Sequence, residues 1–186
     1  MSDGLFYNDL REPFIAADIA AVTLVSTDLA LYPASNFPVL GGQYFARVGK
    51  KLKIRLFGKI TTAATPGNGT FDIYYGTGGA ANGVLLAASA AIVLLANQTN
   101  LSWWAEFYIS CRSIGSAGTL FCDGIALFNQ AVVANTQQPA LIPASAAVVS
   151  GACDLTAALI ISVQFKRSGS TVETMTVQDM EVVAMN

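Results

Sequence analysis

The sequence contains no histidine, and this absence excludes a first group of functions. Imidazole is the side chain most often used for proton transfer near neutral pH, and it is a common ligand of zinc. Three cysteines are present, Cys111, Cys122 and Cys153, but no two of them form a C-x-x-C pair. Neither a structural zinc site nor a disulfide scaffold is therefore indicated. We predict no metal site and no cofactor.

Charged residues are also scarce. They make up 12% of the chain, whereas hydrophobic residues make up 53%. This excess of apolar side chains excludes intrinsic disorder. The longest apolar run, Val84 to Ala96, is interrupted by Ser89 and is shorter than the roughly 20 residues that a membrane helix needs. Acidic residues stand where a signal peptide carries basic ones. We expect neither a membrane partner nor secretion.

The motifs of the common enzyme classes are missing. The chain has no phosphate-binding glycine loop and no G-x-S-x-G nucleophile motif, and its twelve acidic residues are scattered. We therefore predict a protein that is not an enzyme and has no catalytic residue. The net charge of −2 argues against general binding of nucleic acids, whose protein partners are usually basic.

What the sequence does contain is alternation. From Leu52 to Thr62, apolar residues and Gly58 occupy one face and basic residues with Phe57 occupy the other, as expected for a strand with one buried face. Further strands are predicted at Phe71–Tyr75, Val84–Leu95 (one bulged strand or two short ones), Trp103–Ser113, Leu120–Gln130, Leu155–Lys166 and Val172–Ala184. The stretch from Gln137 to Ser145 reads as a loop or crossing segment. This pattern predicts an all-β fold, a two-sheet antiparallel sandwich of jelly-roll type.

Two pairs of these strands are predicted to be hairpins. Trp103–Ser113 and Leu120–Gln130 flank a glycine-rich turn, and pairing their apolar faces places Cys111 opposite Cys122. We favour two buried thiols at this position, and a cross-strand disulfide is the alternative. The polar turn Lys166–Ser170 predicts that the last two strands form a second hairpin.

The first 40 residues differ from the rest of the chain. Pro13, Pro33 and Pro38 make this region a poor set of core strands. We predict an extended N-terminal arm and connecting segment over residues 1–40, with one strand, and a single sandwich domain over residues 41–186. A frayed terminus is the alternative for residues 1–13.

Basic residues and tryptophans mark the candidate contact residues. Six of the ten basic residues lie between positions 47 and 59, and these are Arg47, Lys50, Lys51, Lys53, Arg55 and Lys59. This basic stripe is either a solvated strand face that blocks edge pairing or a docking surface for an acidic partner; contact with nucleic acid is a third, less favoured reading. Strand parity places Trp103 in the core and Trp104 beside Tyr108 on the polar face. Trp104 and Tyr108 are candidates for an interface anchor or a sugar platform, and a tryptophan half-buried under a loop is the alternative.

Several of these segments resemble β-sandwich virion proteins of tailed double-stranded-DNA bacteriophages. The similar segments are Gly49–Thr62, Tyr75–Gly79, Trp103–Gly115 and Asp154–Ala157. Such phage proteins combine a basic strand, a glycine-rich turn and a tryptophan-bearing strand that runs into a Cys-Arg element, here Ile109–Ser113. The likeness covers roughly residues 40–186.

This resemblance implies a structural role in the virion. The family consists of homo-oligomeric head accessory proteins, also called decoration, cement or minor capsid proteins. The expected partners are further copies of the chain, with a trimer favoured, and the major capsid protein. The expected location is the capsid surface, with the host cytoplasm as the site of assembly. A tail-associated receptor- or glycan-binding module is the alternative, with Trp104, Tyr108, Tyr74 and Tyr75 as stacking faces.

Overall fold

The computed structural model describes residues 17–76, 83–130, 136–146 and 148–185. Within these ranges the chain forms eleven strands, and the only helical element is a 3-10 turn at Ala34–Asn36. The strands are β1 (Val22–Thr23), β2 (Leu29–Ala30), β3 (Lys51–Thr61), β4 (Asn68–Tyr75), β5 (Val84–Ala88), β6 (Ile92–Val93), β7 (Leu101–Ser113), β8 (Thr119–Asn129), β9 (Gln137–Ile142), β10 (Ile161–Arg167) and β11 (Thr174–Met185). None of the described helical segments is long and apolar enough to cross a membrane.

The strands form two antiparallel sheets that make a sandwich. The six-stranded sheet has the order β1-β11-β3-β7-β8-β9, and the five-stranded sheet has the order β2-β10-β4-β5 with β6 beside β4. Without β6, β8 and β9, eight strands remain in two groups of four, β1-β11-β3-β7 and β2-β10-β4-β5. This is the strand order of a jelly roll, in which every two successive strands except β4 and β5 lie in different sheets. The predicted fold class is confirmed.

The core lies between the two sheets. The inward residues of β3, among them Leu52, Ile54 and Leu56, are fully buried, as their alternation predicts. Phe71 of β4 is central, with ring centroids 5.6 Å from Trp103 and 4.9 Å from Phe165. Aromatic rings from opposite sheets therefore interlock across the middle of the sandwich.

The β7–β8 hairpin forms as predicted, but its register differs. Ile109 faces Cys122, and Cys111 faces Leu120, so the expected Cys111–Cys122 pair is wrong. A bulge between Cys111 and Ser113 changes the pairing near the turn. The inward face is nevertheless correct, because a shift of two residues preserves parity. All three cysteines are buried free thiols, as favoured from the sequence.

The predicted C-terminal hairpin is also wrong. β10 belongs to the five-stranded sheet and β11 to the six-stranded sheet, so the turn at Lys166–Ser170 crosses between the sheets. The segment expected to be a loop from Gln137 contains strand β9, which pairs with β8. The region from Val84 does form two short strands, one of the two predicted possibilities.

The sheets begin earlier in the chain than residue 41. Residues 1–16, the first part of the predicted arm, lie outside the described residues. Residues 17–40 contribute β1 to one sheet and β2 to the other, and Leu24 and Leu31 from this segment are buried in the core. Tyr32 joins it to β10, because its hydroxyl donates to the carbonyl of Ile161 at 3.1 Å and accepts from the amide of Val163 at 3.2 Å.

Candidate functional site

Six of the eight contact residues predicted from the sequence meet on the outer face, the surface of the six-stranded sheet that points away from the five-stranded sheet. β3 places Lys51, Lys53, Arg55 and Lys59 there, and β7 places Trp104 and Tyr108 there. The two strands are hydrogen-bonded neighbours in the middle of the sheet. The interpretation that the basic residues block pairing at a sheet edge is therefore wrong, because β3 is not an edge strand.

Most of the basic charge on β3 faces acidic side chains on the neighbouring elements. Lys53 lies 3.0 Å from Glu106, Lys59 lies 3.3 Å from Asp18, and Arg55 lies 4.0 Å from Glu181. Burial alone would raise the pKa of Glu106, but hydrogen bonds from Tyr108 and Lys53 lower it overall, which keeps this carboxylate charged. The basic stripe therefore presents less net positive charge than its sequence suggests.

The remaining two predicted residues precede β3 and lie apart from this arrangement. Arg47 is exposed in the segment before the strand. Lys50 is only 5% exposed, and its ammonium group lies 5.2 Å from the centre of the Tyr44 ring. Burial lowers the pKa of Lys50, and the nearby Arg47 acts in the same direction. Lys50 is thus a packed residue and offers little surface to a partner.

The two tryptophans point in opposite directions, as parity predicts. Trp103 is buried in the core, whereas Trp104 is half-buried on the outer face between Phe57 of β3 and Leu127 of β8. Two of the three tyrosines named for a glycan site are poorly placed for that role. Tyr74 and Tyr75 belong to the five-stranded sheet and are both buried, so neither ring offers a free stacking surface.

A shallow groove of about 360 Å³ runs along the outer face at Trp104. Its outer-face lining side chains are Arg55, Phe57, Ser102, Trp104, Leu127, Asn129 and Gln137. The sequence indicated Arg55, Trp104 and the outward direction of Phe57, but not the contribution of β8 and β9. That contribution depends on the pairing of β8 with β9, which joins Asn129 to Gln137.

A second surface, the aliphatic side, lies where the β9 edge of one sheet meets the β5 and β6 edge of the other. Two backbone hydrogen bonds hold these edges together, from Ala90 to Leu141 and from Ala144 to Ala88, both 2.9 Å long. Large apolar side chains are exposed along these edges. Leu85, Val148 and Val149 line one groove, Val93 lies on β6, and Leu141 lies on β9 with the same outward direction as Gln137. Leu141 is 65% exposed and Val148 is 70% exposed, about as much as Val172 elsewhere on the surface at 67%.

A groove of about 360 Å³ lies in the aliphatic side, between β5 and the segments 143–146 and 148–151. This surface is not predicted from the sequence, because the stretch around Pro139 reads as a loop. The sequence gives no alternation signal there, because Ala140, Leu141 and Ile142 are all apolar although only Leu141 is exposed.

A third cluster is buried on the five-stranded sheet. The ammonium group of Lys166 lies 2.5 Å from Asp72 and 3.3 Å from Asp28, and the Tyr74 hydroxyl donates to Asp28 at 2.6 Å. Burial raises the pKa of Asp72 to about 6, and its hydrogen bond with Asp28 acts in the same direction. The cluster joins β4 and β10 to Asp28, the residue that precedes β2. Burial of Asp72 and Tyr74 is typical of a structural contact, although the Lys166 side chain is 39% exposed.

Metal binding has no visible basis in the described ranges. No three histidine, cysteine, aspartate or glutamate side chains come together there in a way that could hold a metal ion.

Comparison with known proteins adds little to this geometry. No protein-family model matches the chain, and no curated protein matches it. Among solved structures, the legume lectin-like domain from Entamoeba histolytica is similar to this chain at 9% sequence identity, with a TM-score of 0.28. The match covers 89% of this chain and 90% of that one. A likeness this weak carries no argument about function.

Proposed function

We propose that this protein is a non-enzymatic virion structural protein, a decoration or cement protein that binds the assembled head of a tailed bacteriophage as a homo-oligomer and stabilises it. The resemblance of residues 40–186 to such proteins motivates the proposal. Its partners are then further copies of the chain, with a trimer favoured, and the major capsid protein. Its location is the capsid surface.

The observation that carries this proposal is the aliphatic side. Exposed large aliphatic residues are normally scattered singly, and a group of them marks a surface that another protein covers. Interfaces of permanent assemblies are more apolar than the rest of a protein surface. Leu141 and Val148 are therefore the leading candidates for contact between subunits, in place of the basic stripe.

The charge distribution supports the same assignment of surfaces. The acidic partners of Lys53 and Lys59 reduce the positive charge with which the outer face could steer a docking partner. A protein with 12% charged residues remains in solution more readily when its apolar surface is covered by neighbours. The proposal thus accounts for the composition and for the exposed aliphatic residues together.

Stabilisation follows from mass action. A protein that binds the assembled lattice more tightly than free capsid subunits shifts the equilibrium toward the closed shell. The gain grows with the number of sites occupied, so weak individual contacts are enough. No chemical step is needed for this activity.

The experiment combines light scattering with particle binding. The purified chain is expected to elute as an oligomer, to bind expanded heads that lack it, and to raise their temperature of opening. Leu141→Asp and Val148→Asp are expected to shift the oligomer toward monomer and to weaken head binding about tenfold or more, since each places a charge in an apolar contact.

Val48→Asp is the matched control. Val48 is 58% exposed in the turn before β3, outside the aliphatic side, so this variant should keep the oligomeric state of the parent. Localisation of the protein at the tail tip, or head binding that neither Leu141→Asp nor Val148→Asp reduces, would contradict the proposal.

A further inference from the structure

The groove on the outer face has a composition different from that of the aliphatic side. Its floor is aromatic and its rim carries an amide from each of two strands, a hydroxyl group and one guanidinium group. We propose that this groove binds an acidic saccharide, with Phe57 and Trp104 as the stacking surface and Arg55 as the partner of the sugar carboxylate. This inference uses a different surface from the proposed function and does not depend on it.

The aromatic floor is built by direct cross-strand pairing. Phe57 and Trp104 are partners in the β3–β7 register, and both point outward. Phe57 is 41% exposed, so part of its ring is available to a ligand, and Trp104 extends the same apolar row toward Leu127. Ligand sites generally combine such an apolar surface with a few placed polar groups. The apolar C–H face of a pyranose ring can stack on such an aromatic surface.

The polar rim has unused hydrogen-bonding capacity. The side chains of Ser102, Asn129 and Gln137 form no hydrogen bond with any other residue in the described ranges. By contrast, the nearby amide side chains of Gln130 and Gln138 bond each other at 2.8 Å. Each free amide offers two donors and one acceptor, and the serine hydroxyl offers both roles. These are the groups that sugar hydroxyls require.

Arg55 favours an acidic sugar over a neutral one. Among the described residues it is the only charged side chain that lines the groove, and its guanidinium group is half-exposed. Its acidic partner Glu181 lies 4.0 Å away, which is too long for a strong bidentate pair. A guanidinium group in this state retains donors for a second carboxylate, and its planar geometry suits bidentate recognition. A uronic acid unit supplies that carboxylate beside a stacking ring.

A protein segment fits the groove less well. A peptide partner would be expected to contact Leu127 together with Leu141, but Leu141 lies further along β9 and does not line the groove. Binding of a protein in place of a saccharide is therefore one result that would overturn the proposal.

The test is a titration of the full, isotopically labelled chain, followed by nuclear magnetic resonance. The probe is tetragalacturonic acid, and galactotetraose is its neutral counterpart. The Trp104 indole N–H and the Asn129 and Gln137 side-chain NH₂ signals should move with tetragalacturonic acid, while the buried Trp103 indole signal stays in place. We expect galactotetraose to bind about tenfold more weakly, because it lacks the carboxylate.

Variants assign the contacts. Arg55→Gln should remove the preference for tetragalacturonic acid, and Phe57→Ser should weaken both probes about tenfold. Tyr108→Phe is the matched control on the same face, because Tyr108 contacts Glu106 outside the groove, and it should bind like the parent chain. Unfolding curves of each variant separate loss of the groove from loss of the fold.

Three results would overturn the proposal. The first is the absence of shifts at millimolar tetragalacturonic acid. The second is equal affinity for the two probes, and the third is unchanged binding by Arg55→Gln and Phe57→Ser variants that remain folded. None of these results bears on head binding, so this inference and the proposed function can fail separately.

Discussion

Arg167 and Glu173 form an ion pair that is almost entirely buried at the turn between β10 and β11. The Nε atom of Arg167 lies 2.6 Å from a Glu173 carboxylate oxygen and also donates to the carbonyl of Leu24 at 2.9 Å. The pair therefore ties the crossing between the sheets to the end of β1. Glu173→Gln keeps the shape of the side chain but leaves a buried guanidinium group without its counter-charge. We expect a loss of about 3–5 kcal/mol in the free energy of unfolding.

Urea unfolding measures this loss, and the exposed pair of Arg55 and Glu181 supplies the control. Their side chains are about half exposed and 4.0 Å apart, so Glu181→Gln should cost less than about 1 kcal/mol. Equal effects of Glu173→Gln and Glu181→Gln would show that burial of the first pair has no energetic consequence.

Asp72 makes stability depend on pH. Its pKa of about 6 lies above its ordinary value of 3.8, so the folded protein holds this proton more tightly than the unfolded chain does. The contribution of Asp72 to stability is therefore present at low pH and is lost as pH rises from about 4 to 6. Burial alone would raise the pKa of Asp28, but hydrogen bonds from Asp72 and Tyr74, together with Lys166, lower it overall. The contribution of Asp28 to stability is therefore present at higher pH and is lost as the pH falls through its folded-state pKa.

The measurement is the melting temperature of the parent chain and of Asp72→Asn between pH 4.5 and pH 7. The Asp72→Asn variant lacks the titrating group, so its melting temperature should fall less over this range than that of the parent. Parallel curves for the two proteins would contradict the assigned role of Asp72.

At the scale of the strands, Gly58 sets how β3 and β7 pack. It is the cross-strand partner of Trp103, and a Cβ atom at this position would lie 2.7 Å from the Trp103 ring and 2.0 Å from the Thr176 carbonyl oxygen. Gly58→Ala should therefore destabilise the protein by about 1–3 kcal/mol through overpacking. Gly41→Ala is the control, since a Cβ atom there meets nothing within 4 Å. A similar melting temperature for both variants would contradict this account.

Strands β3 and β7 also show which features of the fold can be predicted from the sequence. The alternation of β3 and the position of Trp103 were predictable, because the period of two fixes the face of every residue in a strand. The β7–β8 register was not, because the bulge beside Cys111 has no clear sequence signal. The strand that pairs with β10 was also not predictable, because the turn at Lys166–Ser170 is compatible with a hairpin or with a crossing between sheets. Strand parity is a local property, whereas partner choice depends on the whole sandwich.

The candidate surfaces divide in the same way. The outward direction of Arg55 and Trp104 follows from parity within one strand, so the sequence located part of the outer-face groove. Its amide rim and the aliphatic side depend on the pairing of β9 with β8. The sequence does not predict this pairing, because the segment that forms β9 reads as a loop. The acidic partners of the basic stripe lie on other elements, such as Asp18 and Glu181. A surface composed of several strands becomes visible only once their order is known.

At the scale of the whole molecule, the aliphatic side and the outer-face groove have separate roles in our proposals. The aliphatic side joins edges of both sheets, whereas the groove lies on the broad surface of one sheet. A subunit that contacts its neighbours through the edges can keep the broad surface open to solvent. The two proposals are therefore compatible in one assembled particle.

Removal of residues 1–16 tests the predicted arm at this scale. Within the described residues the first buried side chain is Ile19 and the first strand begins at Val22, so the deletion removes none of the described strands. Asp18, which contacts Lys59 and Gln178, is retained. We expect the melting temperature to change by less than about 2 °C, because the described core is intact.

If residues 1–16 clasp a neighbouring subunit or the shell, head binding should fall while the fold persists. Head binding equal to that of the full chain would exclude the clasp and leave the aliphatic side as the attachment surface. A large fall in melting temperature would show instead that residues 1–16 contribute to the sandwich itself.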